Sequence, residues 1–97
     1  MTMHNPSHPG EFIREAYLIP NNLSSRELST KLGVATSTVS RILKGTNGIS
    51  PEMALRLSKS LGRSPESWLS MQDSYDLWQT KQAIDLRDVV KIKFKAA

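Results

Sequence analysis

The sequence has no cysteine, so a disulfide framework, a thiolate nucleophile and a cysteine-ligated metal site are all excluded. Aromatic residues are scarce at 6%. Most of them stand in the first and fifth predicted helices, which leaves no stacking platform of the kind that RNA readers use. No apolar run approaches the roughly 20 residues that cross a bilayer. The first ten residues lack the basic flank and apolar stretch of a secretion signal. A cytoplasmic protein with no membrane partner is the expectation. His4 and His8 stand four apart, but Pro6 and Pro9 argue against a helix there and no third ligand is in sight. No metal or cofactor is expected. With no nucleophile beside a base, neither is an enzyme. Met1–Ser7 reads as a loose arm and His8 as a capping or turn residue.

What is present fits one domain. Ninety-seven residues bury a modest core, which oligomerisation often supplements. The net charge of +4 is unevenly spread. Residues 22–63 carry Arg26, Lys31, Arg41, Lys44, Arg56, Lys59 and Arg63 against only Glu27 and Glu52. Residues 64–88 reverse the balance, with Glu66, Asp73, Asp76, Asp85 and Asp88 against Lys81 and Arg87. A polyanion is drawn to the basic middle of the chain and repelled by the acidic segment after it.

Helix punctuation is dense. Pro9 at a first helical position, Glu11 near the positive dipole end, and an apolar stripe of Phe12, Ile13, Ala16 and Tyr17 predict a first helix to Leu18, stopped by Pro20 and Asn21-Asn22. Ser24 and Glu27 make a capping box for the second, flanked by Leu23 and Leu28 at the staple positions, and Gly33 ends it. A third helix is predicted from Thr36 as N-cap to Lys44, with Gly45 after it. Ser50-Pro51 and Ser64-Pro65 open a fourth helix, closed by Gly62, and a fifth running to about Ala83. In Val90-Lys91-Ile92-Lys93-Phe94-Lys95 apolar and basic residues alternate, the strand period, so a strand needing a partner is expected there.

Only Gly33, Val34 and Ala35 separate the second helix from the third. Two short helices joined by a glycine-bearing turn of that length make a helix-turn-helix, here residues 25–44, whose second helix enters the major groove of DNA. At 100° per residue Val39, Ile42 and Leu43 fall on one side of that helix. Ser37, Ser40, Arg41 and Lys44 fall opposite, with Thr38 at the border. Arg41 offers the planar fork that suits guanine O6 and N7. The short hydroxyl residues let the backbone come close. Lys44 suits a phosphate, as do the backbone amides of Thr46 and Asn47.

The run Leu28–Leu43 with Lys44-Gly45 resembles the helix-turn-helix of the XRE/Cro and phage-repressor family, which more often has alanine where Ser29 stands. Over roughly residues 8–78 the chain is similar to the HigA-type antitoxins. The pieces that carry this are His8-Pro9-Gly10-Glu11, Ile49-Ser50-Pro51-Glu52-Met53-Ala54-Leu55-Arg56-Leu57, and Ser64-Pro65-Glu66-Ser67-Trp68-Leu69 with Gln72, Tyr75, Asp76 and Leu77. The resemblance implies a homodimer that binds double-stranded operator DNA in its own promoter. It also implies neutralisation of a cognate HigB-type toxin, a ribosome-dependent mRNA endonuclease. The alternative is a helix-turn-helix repressor with no toxin partner. Matching positions carry the DNA-facing set Thr36, Ser37, Thr38, Ser40, Arg41 and Lys44; Thr46 and Asn47 join it from the residue-level reading. The expected fold is all-α, a five-helix lambda-repressor-like domain over residues 1–85, with a strand or extended tail at 86–97.

Overall fold

The computed structural model describes residues 5–95. Five α-helices form in the predicted order: α1 (Pro9–Ile13), α2 (Ser25–Leu32), α3 (Thr36–Lys44), α4 (Pro51–Leu61) and α5 (Pro65–Ala83). Residues 5–8 lead into α1 without helix or strand. The part of the N-terminal arm before Asn5, with His4, lies outside the described residues, as do Ala96 and Ala97.

Local chemistry accounts for most boundaries. Ser24 Oγ accepts from the Glu27 amide at 3.0 Å, and Glu27 Oε1 accepts from the Ser24 amide at 3.1 Å, so the capping box is complete. Ser50 and Ser64 cap α4 and α5 by accepting from the Met53 and Ser67 amides. Gly33 leaves α2 at φ 73°, a left-handed conformation that a side chain would strain.

Two boundaries differ from the sequence reading. The first helix does not stay α-helical to Leu18; residues Arg14–Leu18 wind as a π-helical turn, and the Ile19 amide donates to the Arg14 carbonyl at 2.9 Å. With i→i+5 bonding, five residues make about one turn. Leu18 therefore returns to the side of Ile13 and is buried, while Ala16, expected on the apolar stripe, is exposed. The second difference is at α3, whose N-cap is Ala35 rather than Thr36. Thr36 is already helical, and its hydroxyl bonds Ser29 Oγ at 3.1 Å across the turn, so it does not cap its own helix.

The core runs through all five helices: Ile13 and Leu18, Leu28 and Leu32, Val39 and Ile42, Met53, Ala54 and Leu57, and a fully buried Trp68. Trp68 also donates from Nε1 to the Gly62 carbonyl at 3.0 Å, so its burial leaves no polar atom unpaired. Beyond Ala83 the described residues hold no strand. The strand period at 90–95 is present without a ladder, because a single extended segment has no neighbour for its amides and carbonyls. Val90, Ile92 and Phe94 stand in solvent, Phe94 at 83% exposure.

Candidate nucleic-acid interface

α3 packs mainly on α2 and α1, while α5 lies chiefly against α4, so the outward side of α3 is open. Val39 and Ile42 are 2% and 4% exposed beneath it. Ser37, Arg41 and Lys44 are exposed on top, and Thr38 and Ser40 are half-buried along the flanks. The split expected from helical periodicity is present for Ser37, Arg41 and Lys44, while Ser40, expected among them, is half-buried. Thr36 is exposed, but its hydroxyl is held by Ser29, whose own hydroxyl donates to the Arg26 carbonyl at 2.7 Å. That bond is what serine adds at a position where the resembled family more often has alanine.

The two ends of α3 are built differently. At its start Ala35 supplies no side-chain cap, whereas the other four α-helices are each capped by a side chain. The first-turn amides of Thr36 and Ser37 are therefore left as donors at the positive end of the helix dipole, which suits an anionic oxygen. At its end the carbonyls are satisfied internally. The Arg41 carbonyl accepts from the Thr46 amide at 3.0 Å, the Asn47 amide at 3.2 Å and Thr46 Oγ1 at 3.1 Å. The Thr46 and Asn47 amides, expected to meet phosphate, are turned onto this carbonyl. The orphan carbonyl of a helix terminus has taken both. Asn47 is itself exposed.

Three cations, Arg14, Arg56 and Arg63, also make contacts within the fold. Arg56 donates from Nη1 to the Leu32 carbonyl at 2.8 Å, fixing the end of α2 and the Gly33 turn, and pairs with Glu52 at 3.1 Å. Arg14 donates to the Leu43 carbonyl at 3.1 Å. Arg63 lies over the rings of Phe12 and Trp68, 5.2 and 5.8 Å from their centroids. Arg14 and Arg63 stay exposed while making these contacts and Arg56 is half-buried; Arg41, Lys44, Arg26, Lys31 and Lys59 are exposed as well.

Three residues that sequence reasoning did not place near DNA hold α3 in position. Gly10 lies flat against the end of α3: a Cβ there would collide with the Ile42 carbonyl oxygen and stand 2.9 Å from Leu43 Cα. His8 Nδ1 accepts from the Gly10 amide at 2.9 Å and so caps the helix that makes this contact. Gln72 of α5 accepts from the Ile49 amide at 2.8 Å through Oε1 and donates from Nε2 to Asp76 at 2.9 Å, pinning the chain that leaves α3. Their only signal in the sequence was the His8-Pro9-Gly10-Glu11 string and the Gln72, Tyr75, Asp76 set.

This fold and this outward face define a helix-turn-helix DNA-binding domain. The family model described as "Helix-turn-helix" matches residues 13–68. An uncharacterized helix-turn-helix transcriptional regulator of Escherichia coli, YddM, is 38% identical, over 89% of this chain and 90% of its own. Antitoxin HigA-1 of Vibrio cholerae is 35% identical, over 82% of this chain and 75% of its own. The solved structure of antitoxin GraA in complex with its operator superposes with a TM-score of 0.82 at 37% identity, covering 100% of this chain and 98% of that one. The chain belongs to the HigA-type branch of the XRE/Cro-like helix-turn-helix family. No helix among the described residues is long and apolar enough to cross a membrane.

Proposed function

We propose that this protein is the antitoxin of a type II toxin–antitoxin pair: a cytoplasmic homodimer that binds operator DNA, represses its own operon and neutralises a HigB-type mRNA endonuclease. The observation that carries the DNA half is α3, buried through Val39 and Ile42 and bare on the side of Ser37, Arg41 and Lys44. Two copies place their α3 helices about 34 Å apart, one turn of B-DNA, in successive major grooves. Arg41 reads a guanine edge, and Ser37, Thr38 and Ser40 let the helix come close. Lys44 and the free amides of Thr36 and Ser37 hold phosphates, with the Asn47 carboxamide and Thr46 at the rim. The action is occlusion of the promoter, with no catalytic step.

Homology to HigA-1 and to an antitoxin solved on its operator supports both halves of the reading. YddM, named only as a transcriptional regulator, favours a second reading, a repressor with no toxin. Two measurements decide. Footprinting on the upstream region is expected to show a protected palindrome, lost in Arg41→Ala. Co-expression with the adjacent small open reading frame is expected to rescue growth from its toxicity. A harmless neighbour, or none, leaves the repressor reading.

A further inference from the structure

A junction gathers on His8, beside the C-terminal end of α3. Because Nδ1 accepts from the Gly10 amide, the ring hydrogen belongs on Nε2, and the nearby Asn47 backbone favours the charged ring. The ring stands edge-on to Tyr75, centroids 4.9 Å apart and planes at 81°. One imidazole thus caps the start of α1, lies beside Gly45 in the turn after α3, where a Cβ would stand 3.7 Å from the ring, and meets Tyr75 in the middle of α5. The next anchor along the same turn, Gln72 on the Ile49 amide, is tied to Asp76, whose charge also faces His8.

We propose that His8 is a positioning residue for α3: unprotonated, it holds the exit turn of that helix against α1 and α5, and a proton on Nδ1 releases the hold and weakens DNA binding. The effect on DNA rests on the operator-binding reading above. With both ring nitrogens donating, the Gly10 N–H faces another N–H and α1 loses its cap. α1 seats Gly10 on the Ile42–Leu43 backbone and the π-helical turn after it seats Arg14 on the Leu43 carbonyl, so a loosened α1 frees the end of α3 that carries Arg41 and Lys44. The ionisable groups around the ring are Glu11 from α1, Arg14 from the π-helical turn, Lys44 from α3, and Tyr75 and Asp76 from α5. Asp76 and the Asn47 backbone favour the imidazolium. Burial outweighs them and holds the ring below its ordinary 6.5. The folded protein therefore prefers the neutral ring. That preference stabilises it fully above pH 6.5 and is lost as pH falls from there toward the lowered folded value.

The test uses the full chain and its upstream DNA at pH 7.5 and 5.5, reading anisotropy and, without DNA, the thermal midpoint. His8→Asn is the informative variant, since asparagine can accept from the Gly10 amide as an N-cap and does not titrate. The wild type is expected to bind about fivefold more weakly at pH 5.5, a loss the size of one helix cap, and to melt lower. His8→Asn, which keeps His4, is expected to bind within about twofold of wild type at pH 7.5 and to lose most of the pH dependence in both readouts. The same pH dependence in His8→Asn as in wild type, or none in either, overturns the proposal. In the wild type alone, ring-nitrogen NMR is expected to show the Nε2–H tautomer and a midpoint below 6.5; an Nδ1–H tautomer overturns it whatever the variant does. Failure to bind the upstream DNA even at pH 7.5 counts against the operator reading. The melting data then decide the junction by themselves.

Discussion

α3 and α5 are both helices with apolar and polar residues, yet they use them in opposite ways. α3 sorts its side chains cleanly, with Val39 and Ile42 beneath and Ser37, Arg41 and Lys44 above. α5 does not. Trp68 and Gln72 face the core, but Leu77 is 58% exposed on another side, and the apolar residues continue outward through Ile84 and Leu86. A helix with one apolar stripe is finished once it has packed on its own core; one that stays apolar on further sides asks for more protein. The charges make the same division, basic around α3 and acidic along α5. The chain therefore has one pole built for a polar, anionic ligand and another that keeps apolar surface for a protein.

The largest effect that bears on this division is expected at Trp68, where α5 still belongs to the core. Trp68→Ala removes a fully buried ring and the hydrogen bond to Gly62, and should cost about 3–5 kcal/mol. Urea unfolding measures it. A cost below about 1 kcal/mol would mean that all of α5, and not only its far end, is loosely attached.

Arg41→Ala comes next and leaves the fold alone. It should weaken operator binding by about 1–3 kcal/mol and relax the preference at one base pair in each half-site. Binding to a set of single-substituted operators reads both. Uniform weakening on every sequence would demote Arg41 to a phosphate contact. Lys44→Ala is the smaller counterpart: weaker binding on all sequences, with the salt slope reduced by about one. An unchanged slope would take Lys44 off the DNA.

How much of this is legible in the sequence depends on range. Caps and stops are local, so Ser24 with Glu27, Gly33, Ser50-Pro51 and Ser64-Pro65 announced their helices. The sorting of α3 followed from its own period. What escaped was set through space. Nothing in the sequence says that Arg56 reaches back to the Leu32 carbonyl, or that the Arg41 carbonyl collects the Thr46 and Asn47 amides. The π-helical turn at Arg14–Leu18 escaped for the same reason, since it is selected by burying Leu18. Gly10 read as a residue of a recognisable string, and only the backbone of Ile42 explains why it carries no side chain.

The smallest expected change in stability, and the sharpest test of the second pole, is deletion of Asp88–Ala97. Among the described residues of this stretch the Val89 amide donates to the Leu86 carbonyl at 3.0 Å, and Val90, Ile92 and Phe94 are exposed. Removing them should shift the unfolding free energy by less than about 0.5 kcal/mol. The alternation of valine, isoleucine and phenylalanine with Lys91, Lys93 and Lys95 nevertheless suits an edge that another chain could extend. The truncated protein should therefore fold normally while its dimer, or its hold on the toxin, weakens in sedimentation and pull-down. If both survive the deletion unchanged, the protein-binding pole must be sought at the end of α5, around Leu77 and the capping Ile84. If instead the truncated chain melts early, the tail belongs to the fold and the contrast between the two poles loses its second half.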